Sequence, residues 1–380
     1  MKNDLQKTVE AGSWKTVITP CSEAILSFSC GGREMLRLSP VIAGQVCEAG
    51  GMTERFRMHE TVDGISATVE CDTIIPFGSE PKISRNVEFM DGFARMTVDF
   101  SPGTRGVFKR LEIDSLIFPG PWIRAGVVEL PEAGRPVGEI KWHDLNEDAQ
   151  EIYSAGVPFL ALVLEDGEGR RIETGCGDDI WRWQSAQEID GCSAEFIISG
   201  NRDEINLKRT PLIFQEEIEP QIRPWRFKWY FSWEENAQNE VVPVSADAEV
   251  FDVSKHDWHE SAVAMSENGL SGHVCWESPA GRKRFRSLVR SIATRNVSGL
   301  VLQNAEPHLC LSAAHLERSK KVTLLHWDIN DFIELYSWGN RQLLRSGVSL
   351  RIVAPAGSVF SKLPSGRRLS MIPTQRISGA

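Results

Sequence analysis

Apolar and polar residues alternate through much of the chain up to Glu234. The clearest alternating segments are EAILSFSC, GISATVECDTII, KISRNVEF and FARMTVDF, and VPFLALVLE, RRIETG, AEFIISG and LIFQEEI continue the series. β-Branched and aromatic residues in this period, bounded by Gly, Pro, Asp or Ser, are typical of half-buried antiparallel strands. Asp91-Gly92 and Asp166–Gly169 are turn sequences that predict hairpins. The pattern therefore predicts a sandwich or another large antiparallel sheet assembly, and not βαβ units.

The most regular alternation is IRPWRFKWYFSWE at 222–234. One face of this predicted strand carries five aromatic residues, Trp225, Phe227, Trp229, Phe231 and Trp233. The opposite face carries polar or charged residues and one phenol, Arg226, Lys228, Tyr230, Ser232 and Glu234. We expect the aromatic face to pack against another layer, and the polar face to be a candidate for lining a site.

The pattern changes after this strand. Residues 235–250, ENAQNEVVPVSADAEV, are polar and rich in turn formers, which indicates a boundary. We therefore divide the chain into an antiparallel sheet region with the aromatic strand, 1–238, and a helix-containing β region, 239–380. The second region either forms a separate unit or completes the same sandwich.

Two helices are predicted in the second region. The first would be short and begin at Ser254, in SKHDWHESAVAM. The second, over RKRFRSLVRSIATR, follows Ser278-Pro279 and places apolar residues at i, i+3, i+4 and i+7 from Phe285. Predicted strands are SGLVLQN, HLCLSAAHL, KKVTLLHW, DFIELYSW and VSLRIVA. The predicted fold class is mainly β: an antiparallel β-sandwich or supersandwich with one or two short helices in the C-terminal third.

Composition narrows the function classes. The chain has 380 residues, 41% of them hydrophobic, so it can bury a sizeable core, and disordered and fibrous classes are excluded. A net charge of −10 argues against a nucleic-acid partner, which needs a basic surface. The basic run RKRFR in the second predicted helix is accordingly interpreted as a solvated helix face or a surface contact. No run approaches the roughly 20 apolar residues of a membrane helix, so no membrane partner is predicted.

The sequence does not decide between cellular locations or oligomeric states. The N-terminal stretch MKNDLQKTVEAGSWKTV lacks the apolar segment of a signal peptide, so we expect a cytoplasmic protein, or a secreted or periplasmic one whose leader was removed. The eight cysteines include no C-x-x-C pair and are interpreted as buried, reduced thiols. Glycine-rich phosphate-binding motifs and the G-x-S-x-G nucleophile motif are absent, so no cofactor is predicted. The sequence is also compatible with a homo-oligomer.

Tryptophan is over-represented, with 12 Trp against 3 Tyr. Indole faces pack against the apolar faces of sugar rings, while neighbouring charged groups bind the hydroxyls. Trp181 and Trp183, in GCGDDIWRWQ, lie beside a Gly turn and two carboxylates, and we predict that they bind substrate together with Asp178. The tryptophans of the 222–234 strand are more simply explained as packed residues.

Glycosidic cleavage needs two carboxyl groups, one to protonate the leaving oxygen and one as base or nucleophile. Asp178-Asp179 and Glu234-Glu235 are adjacent doublets. Because neighbours on a strand point to opposite faces, neither doublet can itself be the pair. A pair must combine two segments, for example Asp179 with Glu234.

Histidines supply a second set of candidates. His143 lies between a Trp and an Asp in KWHDLNED, a plausible general-base position. His256, His259 and Glu260 would share one face of a helix and could bind substrate or a metal. Because no further ligand segment is identifiable, no metal is predicted.

These features together resemble the galactose mutarotase-like β-supersandwich group. The resemblance rests on the successive antiparallel strands, on GVPFLALVLEDGEGRRIETG and on RPWRFKWYFSW. That group includes aldose epimerases, glycoside hydrolases and polysaccharide lyases, so the resemblance implies a saccharide ligand. No catalytic signature of one member is matched, and no catalytic residue is carried over.

Two function hypotheses follow. The first is an enzyme that cleaves a glycosidic bond, either a lyase or a glycoside hydrolase. A lyase would use Tyr230 as proton donor or base, with Arg226 and Lys228 neutralising a sugar carboxylate, whereas a hydrolase would use Glu234 with Asp178 or Asp179. The alternative is a non-catalytic glycan-binding protein, or an aldose epimerase-like enzyme that uses a His and a Glu.

Overall fold

The protein is described from a computed structural model. The described residues are 7–11, 14–18, 26–42, 45–46, 53–61, 64–74, 82–90, 93–101, 106–107, 110–111, 113–131, 137–176, 193–213, 217–218, 225–234, 247–256, 258, 263–266, 269–272, 274–276, 278–307, 309–310, 326–327, 329–353 and 359–371. Among them, the strands up to Glu234 are β1 (Lys7–Ala11), β2 (Trp14–Ile18), β3 (Leu26–Cys30), β4 (Arg33–Ile42), β5 (Gln45–Val46), β6 (Thr53–Thr61), β7 (Gly64–Ile74), β8 (Lys82–Met90), β9 (Phe93–Ser101), β10 (Gly106–Val107), β11 (Arg110–Leu111), β12 (Ile113–Pro119), β13 (Arg124–Glu129), β14 (Lys141–Asp144), β15 (Gln150–Ala155), β16 (Phe159–Glu165), β17 (Arg171–Cys176), β18 (Ser193–Gly200), β19 (Glu204–Ile213), β20 (Glu217–Ile218) and β21 (Trp225–Glu234).

These strands form two large antiparallel sheets. Sheet A has ten strands in the order β1-β2-β3-β4-β12-β19-β18-β15, with β5 beside β4 and β11 beside β19. Sheet B has nine strands in the order β14-β13-β16-β17-β21-β9-β8-β7-β6, and β10 pairs with β20. Strands β8 and β9 pair with Met90 opposite Phe93, as the Asp-Gly sequence between them predicts. Gly169, with φ of 78°, occupies the turn between β16 and β17, where a left-handed conformation favours glycine.

Sheets A and B face each other across an apolar core. Phe28 of sheet A lies 5.5 Å from Phe89 and 6.1 Å from Phe231 of sheet B, measured between ring centroids. The buried guanidinium carbon of Arg209 in sheet A lies 3.7 Å from the ring centroid of Trp229 in sheet B. The predicted fold class, a mainly β antiparallel sandwich, is therefore confirmed.

Strand β21 packs with the face that its alternation predicts. The aromatic side chains described on that face are 0–3% exposed and belong to the sandwich core: Phe227, Trp229, Phe231 and Trp233. Alternation of period two sends one side of a strand into the core, and here the large rings are on that side. The side chain of Trp225 lies outside the described residues.

The chain after β21 has a different architecture. Its described elements are β22 (Glu249–Asp252), a 3₁₀ turn (Val253–Lys255), β23 (Val263–Ser266), β24 (Gly269–Gly272), α1 (Pro279–Ile292), β25 (Gly299–Gln303), β26 (Leu309–Cys310), β27 (His326–Trp327), α2 (Ile329–Leu344), β28 (Ser349–Val353), α3 (Val359–Lys362), α4 (Pro364–Leu369) and β29 (Ser370–Met371). The predicted division at 238/239 falls between the end of β21 and the start of β22, in an interval that lies mainly outside the described residues.

The C-terminal strands form one parallel and one antiparallel sheet. Sheet C has the order β22-β25-β28-β29 and is parallel, because α1 returns the chain from β22 to β25 and α2 from β25 to β28. Sheet D has the order β24-β23-β26-β27. Its two halves are inserted after β22 and after β25. We call the end of sheet C at which β22 stops at Asp252 and β25 at Gln303 the carboxyl edge.

Helix α1 begins where the sequence predicts. The Ser278 hydroxyl accepts a hydrogen bond from the Gly281 N–H at 2.9 Å, and Pro279 is the first helical residue. Both choices suit a helix start, since the hydroxyl satisfies a free N–H and proline has none to satisfy. Phe285, Val289 and Ile292 of α1 are buried.

Two predicted elements are wrong. The segment DFIELYSW, predicted as a strand, lies within helix α2. Its alternation is short, whereas the buried residues from Phe332 to Leu343 recur at helical spacing over the longer segment. The helix predicted from Ser254 is also wrong, because it amounts to one 3₁₀ turn capped by Asp252, and Val263–Ser266 is a strand.

The C-terminal region packs on the outer face of sheet B. A second apolar core contains residues of sheet B, such as Phe93, Val163 and Tyr230, together with Trp276, Phe285, Phe332 and Phe360 of the C-terminal region. The face of β21 that the sequence presents as polar therefore lies, in part, under a further layer. No helix among the described residues is long and apolar enough to span a membrane.

Candidate functional site

The polar face of β21 changes from exposed to buried along the strand. Arg226 is exposed and binds the Asp99 carboxylate with two hydrogen bonds of 2.8 Å. Lys228 is partly buried, and Tyr230 and Ser232 are completely buried. A substrate could therefore reach only the start of this face in the structure as described.

Glu234 belongs to a row of alternating charges across sheet B. The row consists of four residues that lie opposite one another on neighbouring strands, Arg124, Glu165, Arg171 and Glu234. Arg124 donates to both oxygens of Glu165, at 3.0 and 2.9 Å, and Arg171 donates to Glu165 at 2.5 Å and to Glu234 at 3.5 Å. Although burial opposes it, these hydrogen bonds hold the pKa of Glu165 below its usual value. The row is internally neutralised, which suits a structural role.

His143 is not brought to Glu234. His143 lies opposite Ala125, a residue of the sandwich core, whereas its neighbour Trp142 lies on the outer face with the Arg124 guanidinium 4.3 Å from its ring centroid. His143 and Glu234 therefore belong to opposite faces of sheet B. The predicted residues Asp178, Asp179, Trp181, Trp183, His259 and Glu260 lie outside the described residues.

Tyr230 takes part in a buried hydrogen-bonded group. Its hydroxyl donates to Oε1 of Glu173 at 2.7 Å, and Ser365 of α4 donates to the same carboxylate through its hydroxyl at 2.9 Å and its backbone N–H at 2.7 Å. All three residues are 0% exposed. Burial raises the pKa of Glu173 to about 7, against the opposing effect of these hydrogen bonds and with a smaller contribution from the nearby Glu234 charge. Through these hydrogen bonds, Glu173 connects α4 to sheet B.

We expect Glu173→Gln to reduce the dependence of stability on pH. The folded protein holds a proton on Glu173 up to about pH 7, whereas the unfolded chain releases it near its ordinary value of 4.5. The stability linked to this proton is therefore complete below about pH 4.5 and is lost as pH rises through 7. Gln keeps the size and removes the titrating group, although its amide nitrogen cannot accept the hydrogen bond that one carboxylate oxygen receives. Its melting temperature should therefore stay nearly constant between pH 5 and 8, while that of the wild type falls by roughly 3–6 °C.

Thermal melts between pH 4.5 and 8 measure this difference. Glu139→Gln is the matched control, because Glu139 is an exposed carboxylate paired with Lys362, and it should not flatten the profile in this window. A wild-type melting temperature that stays constant from pH 5 to 7.5 would contradict a buried, titrating Glu173.

A second polar group lies at the carboxyl edge of sheet C. Oδ1 of Asp252 accepts hydrogen bonds from the Ser254 hydroxyl at 2.6 Å, the Ser254 N–H at 3.0 Å and the Asn304 side-chain amide at 2.8 Å. Asn304 directly follows β25 and has a left-handed φ of 54°, a conformation that Asn tolerates. Although burial opposes it, these hydrogen bonds hold the pKa of Asp252 below its usual value. Its Oδ2 lies 3.6 Å from Lys255 Nζ.

Glu306 lies on the same edge, but in more buried surroundings than Asp252. It follows Asn304 by two positions and is only 8% exposed, between Ala305 and Pro307, which are also buried. Burial raises the pKa of Glu306. Asp252, the last residue of β22, lies opposite Gln303, the last residue of the parallel strand β25, and Glu306 follows Gln303 by three positions. The pKa of the Asp252 carboxyl group is lowered, whereas that of the Glu306 carboxyl group is raised.

Aromatic residues neighbour Asp252 in the sequence. The His256 ring stacks on Phe251, with 4.1 Å between centroids and an angle of 5° between planes, and Trp258 lies 5.3 Å from Phe251. His256 is exposed, so this stack offers a flat surface near the carboxyl edge. Within the described part of the chain, no group of three His, Cys, Asp or Glu residues is placed to hold a metal ion.

Sequence reasoning did not identify Asp252, Asn304 or Glu306. The available signal is a short apolar run that ends in polar residues, AEVFD at 248–252 and GLVLQNAE at 299–306. Such runs are typical of buried parallel strands, and the polar residues that follow them gather at one edge. The prediction of antiparallel strands in this region left that edge unrecognised.

No protein-family model matches the sequence, and a search of curated proteins found no match. Similar solved structures include an alpha-galactosidase from Lactobacillus brevis, at 8% identity and TM-score 0.40, where the match covers 92% of this chain and 54% of that one. They also include a glycoside hydrolase family 97 enzyme from Pseudoalteromonas sp. strain K8, at 9% identity, TM-score 0.40 and coverages of 96% and 68%. The Slr1438 protein from Synechocystis sp. PCC 6803 has 8% identity, TM-score 0.39 and coverages of 62% and 98%. The chain thus spans about half the length of the alpha-galactosidase, and these values assign it to no family.

Proposed function

We propose that the protein is a carbohydrate-active enzyme that hydrolyses a glycosidic bond at the carboxyl edge of sheet C. The observation that carries the proposal is that Asp252 ends β22 and Glu306 lies three residues after the end of the adjacent parallel strand β25. Ligands of parallel α/β sheets bind outside the carboxyl ends of the strands. Two carboxyl groups in contrasting surroundings are the arrangement that divides acid from base.

The surroundings assign the two roles. Burial raises the pKa of Glu306, which favours the protonated form that can donate to the leaving glycosidic oxygen. Asp252 stays ionised, and its Oδ1 is occupied by donors from Ser254 and Asn304. Its Oδ2 is then the oxygen that attacks the anomeric carbon or activates a water molecule.

The aromatic stack gives the edge a surface for a sugar ring. Phe251 precedes Asp252 in β22 and its side chain points to the opposite face of sheet C, and the exposed His256 imidazole caps the stack near the carboxyl edge. Apolar faces of sugar rings pack on flat aromatic groups. The sequence-based proposal that His256 binds substrate is retained on this basis.

The lyase hypothesis keeps Tyr230 as proton donor or base, with Arg226 and Lys228 beside a substrate carboxylate. Because Tyr230 is buried beneath α4, that proposal requires α4 to leave sheet B before substrate enters. The hydrolase proposal for Glu234 similarly requires release from Arg171. At the carboxyl edge, Glu306 is 8% exposed, so the hydrolase proposed there likewise requires Glu306 to be uncovered before it can reach a substrate.

The test is an assay of reducing-sugar release from a panel of neutral and acidic oligosaccharides. Wild type should cleave at least one of them, and Asp252→Asn and Glu306→Gln should each remove the activity. Asp247→Asn is the matched control, because Asp247 precedes β22 at the opposite end of the strand, where it accepts from Ser298 at 2.7 Å. Binding without cleavage would favour the glycan-binding alternative, and an unsaturated product would favour the lyase.

A further inference from the structure

The outer surfaces of helices α1 and α2 carry a concentration of positive charge. We call this surface the cationic face, and its residues are Lys283, Arg286 and Arg290 of α1, Trp338 and Arg341 of α2, and Arg345 of the turn that directly follows α2. In α1 the three cations are exposed and occupy positions i, i+3 and i+7, so they share one side of the helix. Trp338, Arg341 and Arg345 have the same spacing over α2 and the turn after it.

Contacts between the helices join the two rows into one surface. The guanidinium carbon of Arg286 lies 5.7 Å from the ring centroid of Trp338, and the Phe285 ring lies 6.5 Å from the same Trp. Trp338 is partly exposed, so it presents ring surface between the cations of the two helices. The cationic face therefore combines an aromatic group with five positive charges.

Carboxylates of the neighbouring surface do not neutralise it. Asp331 and Glu334 of α2 both bind Arg282, at 2.8 and 2.6 Å, and Glu249 binds Arg295 at 2.6 Å. For the five cations of the cationic face, no ion pair is recorded among the described residues. The chain as a whole carries a net charge of −10, so this surface has the opposite sign to the molecule. Such a segregated field attracts an anionic partner.

We propose that the cationic face binds an anionic saccharide chain that carries carboxylate or sulfate groups. Arginine guanidinium groups bind both kinds of anion through two parallel hydrogen bonds. The Trp338 ring supplies the stacking surface that a sugar ring uses and that a simple anion does not need. The choice of a saccharide rests on the proposed function, whereas the anionic character rests on the charges alone.

A polyphosphate partner fits less well. Nucleic acid carries a dense negative charge that the acidic remainder of this protein would repel. A glycan chain presents its charges less densely and adds ring faces between them. The cationic face would then hold a polymeric substrate at a distance from Asp252 and Glu306, which cleave it.

Binding to polygalacturonate, measured by titration calorimetry at low and moderate salt, tests this proposal. Arg286→Gln/Arg290→Gln should weaken binding by about tenfold or more, because each change removes a charge-assisted contact. The control Arg202→Gln/Lys208→Gln changes the charge equally at exposed positions of sheet A and its preceding turn, and should alter affinity by less than about twofold.

Equal losses in both double variants, or equal binding of a neutral dextran, would overturn the proposal. Tighter binding of single-stranded DNA than of polygalacturonate would also overturn it, in favour of a nucleic-acid surface. Cleavage of short neutral oligosaccharides by Arg286→Gln/Arg290→Gln should equal that of wild type. That comparison separates failure of the cationic face from failure of the proposed hydrolase, which would leave both proteins inactive.

Discussion

Glu306→Gln should lower the rate of glycoside cleavage at pH 7 by about two to four orders of magnitude, the usual scale for the loss of a general acid. Gln has nearly the same volume but no acidic proton to donate. Because the site already favours the uncharged form of Glu306, the neutral amide should fold as well as the wild type. The effect should therefore appear in turnover and not in the melting temperature.

Substrates with different leaving groups distinguish the loss of a general acid from other causes of reduced activity in Glu306→Gln. Aryl glycosides with acidic leaving groups need little protonation, so Glu306→Gln should lose much less activity on them than on natural oligosaccharides. Glu249→Gln, at the opposite end of the adjacent strand, is the matched control and should behave as wild type on both substrates. An equal loss on the two substrate types would argue against Glu306 as the acid.

Trp229→Ala should destabilise the folded protein by about 3–5 kcal/mol, the range for removing a large aromatic side chain from a core. Trp229 is 0% exposed and contacts both sheets of the sandwich. Arg209 of sheet A lies over its ring at 3.7 Å, and Phe159 of sheet B is 6.5 Å away between centroids. Truncation leaves a cavity and removes the group that faces a buried guanidinium.

Urea unfolding measures the decrease in the free energy of unfolding that Trp229→Ala causes. Lys228→Ala provides the comparison on the same strand, because its side chain lies on the opposite face and is only partly buried. It should cost less than about 1 kcal/mol. If Trp229→Ala unfolds at the wild-type urea concentration, the aromatic face of β21 is not the packed one.

Local pattern was enough to predict the sandwich and the orientation of β21. Strict alternation over a long strand fixes which side chains share a face, and the large rings decide which face is buried. The burial of Tyr230 on the other face could not be predicted, because it depends on Ser365, which is 192 residues away from Glu173 in the sequence. The sequence of one strand cannot show that a helix from a distant part of the chain covers its polar side.

The carboxyl edge could not be predicted from the sequence for a related reason. The amide of Asn304 that orients Asp252 is 52 residues away from it in the sequence, and only parallel pairing of β22 and β25 brings them together. A run such as GLVLQ is compatible with a parallel or an antiparallel neighbour. The error at DFIELYSW had the same consequence, since a helix there is what makes the β25–α2–β28 crossover possible.

The pH dependence of kcat/KM on a cleaved oligosaccharide tests the division of roles between Asp252 and Glu306 most directly. Wild type should show a bell-shaped profile, with an acid limb from Asp252 below its usual pKa and an alkaline limb from Glu306 above its usual pKa. The residual activity of Glu306→Gln should lose the alkaline limb, and that of Asp252→Asn should lose the acid limb. Retention of both limbs in both variants, with turnover close to wild type, would contradict a catalytic site at the carboxyl edge of sheet C.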